Sequence, residues 1–311
     1  MDDDEFQYLE EDAERMGVSP PLPRVERREV DGVGGDRLGA LVWGDSAPRL
    51  AFVHGAGLHA HAWDSVILGV GRPAVAIDLP GHGESRWRDA FDYTPESMAD
   101  SVAAGIRATA ESPVTLVGHS LGGLTSIVIA ARNPDLVGAL VVIDSVPRDL
   151  GASTRRAPVR DFLVGPESYP SRAAIVERAV ANGFGRDIER LTRGVTINTR
   201  VREDGRVVFK HHLANPPEGM SFFSGRDLSG LWQYAESLRM PVLLVHATHG
   251  SLEASDVEAF RRHVPQTDSV EFDTGHNVHR DDPRGLADAI GAFIEAHEAA
   301  SGRKSAEHGR S

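Results

Sequence analysis

The chain has 311 residues, 41% hydrophobic and 25% charged, which suits a globular protein with room for one large domain. Its 33 Lys and Arg against 46 Asp and Glu leave a formal net charge of −13, a balance that argues against a nucleic-acid or anionic-membrane partner. No cysteine is present, so disulfides, thiolate metal sites and a cysteine nucleophile are excluded.

In chain order, residues 1–23 are acidic and close on the Pro-rich run 19–23, which reads as an arm or short helix packed outside the core. This start lacks the basic and apolar segments of a secretory signal, and no run of about 18 apolar residues follows. A cytoplasmic protein without a membrane span is therefore expected. Residues 24–30 and 37–43 flank the glycine-rich turn 31–36 and predict a β-hairpin. Strand-like runs follow at 50–54, 74–78, 114–118, 140–144, 242–246 and 269–272. Those from 74 to 246 are short, apolar and Val-rich, as strands buried on both faces should be. Helical patterns at 95–110, 121–133, 255–263 and 283–297 alternate with them. Such alternation predicts a mostly parallel sheet covered by helices on both sides. The interval between 144 and 242, about 95 residues, is too long for one crossover. It holds helical patterns at 173–182, 186–192 and 228–238 and a hairpin over Glu203-Asp-Gly205, and predicts a cap over the sheet's carboxyl edge. The expected organisation is thus an arm (1–23), a core (24–145 and 239–298), a cap (146–238) and a flexible tail (299–311).

Gly118-His-Ser-Leu-Gly122 matches G-x-S-x-G between a predicted strand and a predicted helix, the context this motif requires. A serine on so sharp a turn sits at a strained backbone angle, and Gly118 and Gly122 remove Cβ atoms that would clash. Ser120 is the expected nucleophile. An attacked ester develops an oxyanion needing two preplaced N–H donors. Leu121 supplies one, and the loop His54-Gly-Ala-Gly57 supplies the other through Ala56. Gly55, Gly57, His59 and His119 are the expected substrate-facing residues, and His61 is a further lining candidate.

The base should follow the last strand in the chain order Ser, acid, His. His276 does so directly, and His279 competes from three residues on. The acid is harder to place. The loop after strand 242–246 reads Ala247-Thr-His-Gly-Ser251 and has no carboxylate. Asp144, at the end of the preceding strand, is the preferred acid, with Glu253 and Asp256 as alternatives; Asp256 also reads as a helix cap. The 14 histidines invite a metal, but pairs such as His246/His249 and His276/His279 fall short of a full ligand set, so none is expected. Trp63, Trp87 and Trp232 read as packing residues, and His82 and Ser85 as parts of a structural turn.

Together the elbow 118–123, the 54–57 loop, Asp78-Leu-Pro-Gly-His-Gly-Glu-Ser85 and the Gly275-His276 turn resemble α/β-hydrolase esterases over roughly residues 25–298. More narrowly, the chain is similar to actinobacterial, in particular mycobacterial, carboxylesterases. These share the acidic arm, a cap segment matching Asn198-Thr-Arg200 and Asp204-Gly-Arg206, and a late loop without its Asp. The resemblance implies an α/β-hydrolase fold, a sheet of about eight strands with a helical cap after the sixth. It places the acid on Asp144. It also implies hydrolysis of short to medium acyl esters with no cofactor; the expected partner is a small-molecule ester, and the expected assembly a monomer or small homo-oligomer. Thioesterase, lactonase and carbon–carbon hydrolase chemistry share the same triad, and a non-catalytic receptor shares the fold. Haloalkane dehalogenases and epoxide hydrolases of this fold carry Asp where this chain has Ser120, which argues against both.

Overall fold

The computed structural model describes residues 4–149, 165–182, 187–218, 220 and 227–308. Its strands are β1 (Val25–Asp31), β2 (Arg37–Trp43), β3 (Leu50–Val53), β4 (Ala74–Ile77), β5 (Val114–His119), β6 (Val137–Ile143), β7 (Thr199–Val201), β8 (Val207–Phe209), β9 (Val242–His249) and β10 (Thr267–Gly275). Its helices are α1 (Leu9–Arg15), α2 (Asp64–Val70), α3 (Pro95–Thr109), α4 (Leu121–Arg132), α5 (Arg172–Ala181), α6 (Ile188–Ile197), α7 (Trp232–Ser237), α8 (Ala254–His263), α9 (Val278–Asp281) and α10 (Pro283–His308).

Eight strands form one sheet in the order β1-β2-β4-β3-β5-β6-β9-β10, and only β2 runs against its neighbours. The unbroken apolar runs have a simple cause. Leu140 and Val142 of β6 pack into a core beneath α3, α4 and α8, while Val141 and Ile143 face the opposite core beneath α2 and α10. Each side chain is buried, whichever way the pleat turns it. The chain moves from β3 to β4 on one side, then returns to place β5 on the other. Ligands in open α/β sheets bind at such a switch point, beyond the carboxyl ends of the strands.

Four details differ from expectation. The N-terminal arm does not lie outside the core: α1 packs on α2 and buries Ala13 and Met16, at 2% and 3% exposure, in the second core. Strands β9 and β10 extend beyond their apolar runs, because parallel pairing continues through a bulge to Gly275 and His249. The pattern over 228–238 resolves into a 3₁₀ turn at Ser229–Leu231 followed by α7. Helix α10 continues to His308, through most of the segment expected as a flexible tail.

Between β6 and β9, α5, α6 and the β7–β8 hairpin enclose a small core of Tyr169, Ile175, Val176, Val195, Val207 and Phe209. Residues 150–164, 183–186, 219 and 221–226 of the expected cap lie outside the described residues, as do 309–311 of the expected tail. Among the described residues, no helix is long and apolar enough to cross a membrane.

Candidate active site

Ser120 ends β5 and caps α4 with φ 53° and ψ −116°. Among the described residues only one other non-glycine has positive φ, Asp144 at 47°. Two strained side chains therefore stand at the ends of adjacent parallel strands, and functional sites are where such strain is retained. The flanking glycines are sterically required. A Cβ on Gly118 would meet Gly122 O at 2.5 Å, and one on Gly122 would meet Val53 O at 2.3 Å. The Ser120 N–H is held by the Ile143 carbonyl at 3.0 Å.

His276 follows the end of β10 and bridges the two strained residues. Ser120 Oγ–H donates to His276 Nε2 at 3.0 Å, and His276 Nδ1–H donates to Asp144 Oδ2 at 2.6 Å. The carboxylate fixes the tautomer and leaves the Nε2 lone pair facing the hydroxyl. Burial alone would raise the Asp144 carboxyl. The hydrogen bond and charge of His276, with N–H donation from Ser251 and Ala247, outweigh it and hold the group below its ordinary range. Those donors lie in the late loop that lacks its own carboxylate: Ala247 N–H reaches Oδ1 at 3.2 Å and Ser251 N–H reaches Oδ2 at 2.7 Å. Gly250 fits there because a Cβ would stand 2.5 Å from Asp144 Oδ1.

The alternative acids are engaged elsewhere. Glu253 and Asp256 form a reciprocal capping box on α8, and Asp256 also accepts from Arg148 Nη1 at 2.5 Å. The competing histidine, His279, is 6% exposed and sits 5.1 Å from the Trp63 ring. Burial lowers it to about 3.

The 54–57 loop lies against Ser120, since a Cβ on Gly55 would stand 3.2 Å from Ser120 Cβ. Its peptide planes are fixed by His54. Leu79 N–H donates to His54 Nε2 at 3.0 Å, so His54 Nδ1 carries the proton and donates to Gly55 O at 2.8 Å. Burial keeps this imidazole neutral, lowered to about 4. In a trans peptide the N–H points opposite to the C=O, so pinning Gly55 O also aims the Ala56 N–H. Leu121 N–H opens α4 and has no intrahelical partner.

The remaining expected residues fare unequally. Gly57 adopts φ 72° beside Ala56, a conformation that glycine takes without strain. His119 is 1% exposed, and its Nε2–H donates to the His276 carbonyl at 2.9 Å, so it holds the main chain of His276. His59 is buried, with Nδ1 unpartnered, and burial lowers it well below the usual histidine range. His61 is saturated by Asp64 at 2.8 Å and Glu5 at 3.0 Å. His82 Nδ1–H donates to Pro80 O at 3.0 Å and Ser85 Oγ–H to Asp78 O at 2.6 Å, a turn as expected. Trp63 packs 5.1 Å from Phe52, and Trp232 stacks 4.3 Å from His263. Trp87 stacks 4.4 Å from His212. No group of three or more metal-ligating side chains occurs among the described residues.

Sequence reasoning did not find three contacts. Ser251 and Ala247 as donors to Asp144 had no local signal. Asn198 was visible only as part of a cap segment, yet its Nδ2–H donates to the Gly57 carbonyl at 2.6 Å.

An open sheet with one reversed strand, a serine at a strained strand-to-helix turn, and a late-strand histidine now stand together. A family model described as "Alpha/beta hydrolase family" matches residues 50–289. The chain belongs to the alpha/beta hydrolase family. Among its relatives is Esterase Rv0045c of Mycobacterium tuberculosis (strain ATCC 25618 / H37Rv), 37% identical over 300 residues that span 94% of this chain and 96% of that one. A solved structure of the M. tuberculosis esterase Rv0045c superposes with TM-score 0.81 at 35% identity, covering 95% of this chain and 100% of that one. E-2-(Acetamidomethylene)succinate hydrolase, at 24% identity and TM-score 0.72, covers 88% of this chain and 100% of its own, and shares the alpha/beta hydrolase fold. The mixed eight-stranded sheet is therefore the family's sheet, and α5, α6 and the β7–β8 hairpin enter it between β6 and β9.

Proposed function

We propose that the protein is a serine esterase that cleaves small carboxylic esters of short to medium acyl chain, with Ser120 as nucleophile, His276 as base and Asp144 as orienting acid. The observation that carries this reading is the relay from Ser120 Oγ through His276 to Asp144, at 3.0 and 2.6 Å. The resemblance to an esterase over nearly the whole chain supports the ester as the scissile group.

His276 Nε2 takes the Ser120 proton as Oγ attacks the ester carbonyl, and the C=O electron pair moves onto oxygen. The resulting oxyanion lies against the Ala56 and Leu121 N–H groups, which need no reorganisation because a pinned carbonyl and a helix start already aim them. Asp144 holds the tautomer and stabilises the imidazolium. Collapse expels the alkoxide, which takes the proton from His276 Nε2, and leaves an acyl group on Ser120 Oγ. Water then attacks with His276 again as base, releasing the carboxylic acid and restoring the hydroxyl. The His276 side chain retains 26% exposure, which supports access of that water.

The test is pre-steady-state hydrolysis of p-nitrophenyl butyrate. A burst of p-nitrophenol equal to the enzyme concentration is expected, with fluorophosphonate labelling confined to Ser120. Substitution Ser120→Ala should remove both. Persistence of labelling or of the burst in that variant would refute the assignment. Parallel turnover of an acyl thioester and a lactone sets the preferred scissile bond.

A further inference from the structure

Among the described residues, one short element of the cap reaches both the loop after His276 and the 54–57 loop. Helix α6 begins near the base loop, where Arg190 donates to the carbonyl of Arg280, four residues beyond His276. It ends at Asn198, whose side chain crosses to the oxyanion loop. Asn198 is held rigidly within the cap. Its N–H donates to Gly194 O at 3.1 Å, and its carbonyl accepts from Lys210 N–H at 3.0 Å. The residue is 9% exposed, and its Oδ1 is buried without a partner while Nδ2 serves Gly57. The amide is thus committed to donation at the expense of its oxygen.

Ala56 lies between two pinned carbonyls. Gly55 O is held from the core by His54 Nδ1–H at 2.8 Å and Leu58 N–H at 3.1 Å. Gly57 O is held from the cap by Asn198 at 2.6 Å. Gly57 has φ 72°, and a glycine without a Cβ rotates freely unless something fixes its peptide planes. The loop is therefore anchored on one side by the core and on the other by the cap.

We propose that Asn198 is a positioning residue for the oxyanion hole: by holding the Gly57 carbonyl it couples the seating of the cap to the aim of the Ala56 N–H. This inference rests on the serine-esterase reading above. Its consequence is specific. An interaction that matters only where the oxyanion forms lowers kcat, whereas one that merely shapes the pocket raises KM.

Asn198→Ala and Asn198→Asp are compared with the wild-type enzyme in p-nitrophenyl butyrate turnover and in affinity for a butyl trifluoromethyl ketone, whose adduct with Ser120 carries an oxyanion. In Asn198→Ala, kcat should fall roughly tenfold or more, KM should stay within about twofold, and ketone affinity should fall by the same factor as kcat. Asn198→Asp keeps the shape but faces one oxygen with another. Its kcat should fall at least as far as that of Asn198→Ala, because an ionised carboxylate only accepts hydrogen bonds and repels the Gly57 carbonyl. This second variant keeps the test decisive if the alanine variant folds poorly. Unchanged kcat in both variants, or a rise in KM with kcat and ketone affinity retained, overturns the proposal. Fluorophosphonate labelling of wild-type Ser120 separates the two readings. If labelling is normal and the Asn198 variants behave as wild type, only the role of Asn198 fails. If wild type is not labelled, the esterase reading itself fails.

Discussion

Asp144 accepts three hydrogen bonds on two oxygens, from His276, Ser251 and Ala247, and this saturation defines what a substitution there would do. An Asn would turn an NH₂ group toward one of these donors and free the His276 tautomer. We expect Asp144→Asn to lower kcat roughly a thousand- to ten-thousandfold, with Glu253→Gln near wild type, measured as steady-state ester turnover. Equal activity of the two variants would return the acid to an open question. Gly122 has the opposite vulnerability. A methyl group there meets main-chain oxygens of Val53 and His54 at 2.3 and 2.4 Å, and backbone has little room to yield. Gly122→Ala should cost about 3 kcal/mol, read as a lowered denaturation midpoint. The elbow was legible from sequence because its constraint is local: strand, sharp turn and helix lie within about ten residues. Ser251 was not, since it meets Asp144 across 107 residues of chain.

At the scale of elements, α1 is a strap between α2 of the core and α6. Asp12 is 2% exposed, accepts Ser65 Oγ–H from α2 at 2.9 Å and pairs with Arg193 of α6, whose guanidinium also lies 4.8 Å over the Tyr8 ring. Asp12→Asn leaves that arginine without its counter-charge. The expected loss is about 3 kcal/mol of stability, with faster hydrogen exchange in α1 and α6 than elsewhere. The preceding residues add a pH dependence. Burial alone would lower His61, but Asp64 and Glu5 raise it to about 9. Burial alone would raise Glu5, but His61 and Arg27 lower it to about 2. A raised histidine stabilises fully below its unfolded value near 6.5 and loses this as pH climbs through 9; a lowered carboxyl stabilises above about 4.5 and loses this as pH falls through 2. The arm should therefore be held most tightly between about pH 4.5 and 6.5. Limited proteolysis near residues 17–24 at several pH values would show this, and uniform cleavage up to pH 10 would contradict it. The acidity of the arm was plain in the sequence, but its attachment to α6 was not.

Across the whole molecule, the buried histidines set the acid limit. Burial lowers His54 to about 4 and His82 and His279 to about 3, and holds His59, His119 and His211 well below the ordinary range. Each takes up a proton on unfolding below about pH 6.5 that the folded form refuses, so stability falls as pH falls. Six such groups give a slope of up to about 8 kcal/mol per pH unit, against a total stability of about 5–15 kcal/mol. Acid unfolding should therefore begin well above the carboxylate range near pH 4, monitored by near-ultraviolet circular dichroism. A midpoint below about pH 3 would mean that these imidazoles are hydrated in the folded state.

By itself the sequence determined the features that neighbours along the chain enforce. Apolar runs flanked by turn residues specified the strands, and G-x-S-x-G between strand and helix specified the strained serine. The order of motifs specified the late-strand histidine, and a net charge of −13 set the overall electrostatic character. Tertiary structure decided which carboxylate meets His276, that His119 holds the His276 carbonyl, and that His61 is locked in an ion pair. It also decided that Asn198 reaches the Gly57 carbonyl across 141 residues of chain. The physical reason is the range of the forces involved. Backbone sterics and side-chain period act over a few residues, whereas a hydrogen bond between distant segments exists only once sheet register and helix packing have brought donor and acceptor within about 3 Å.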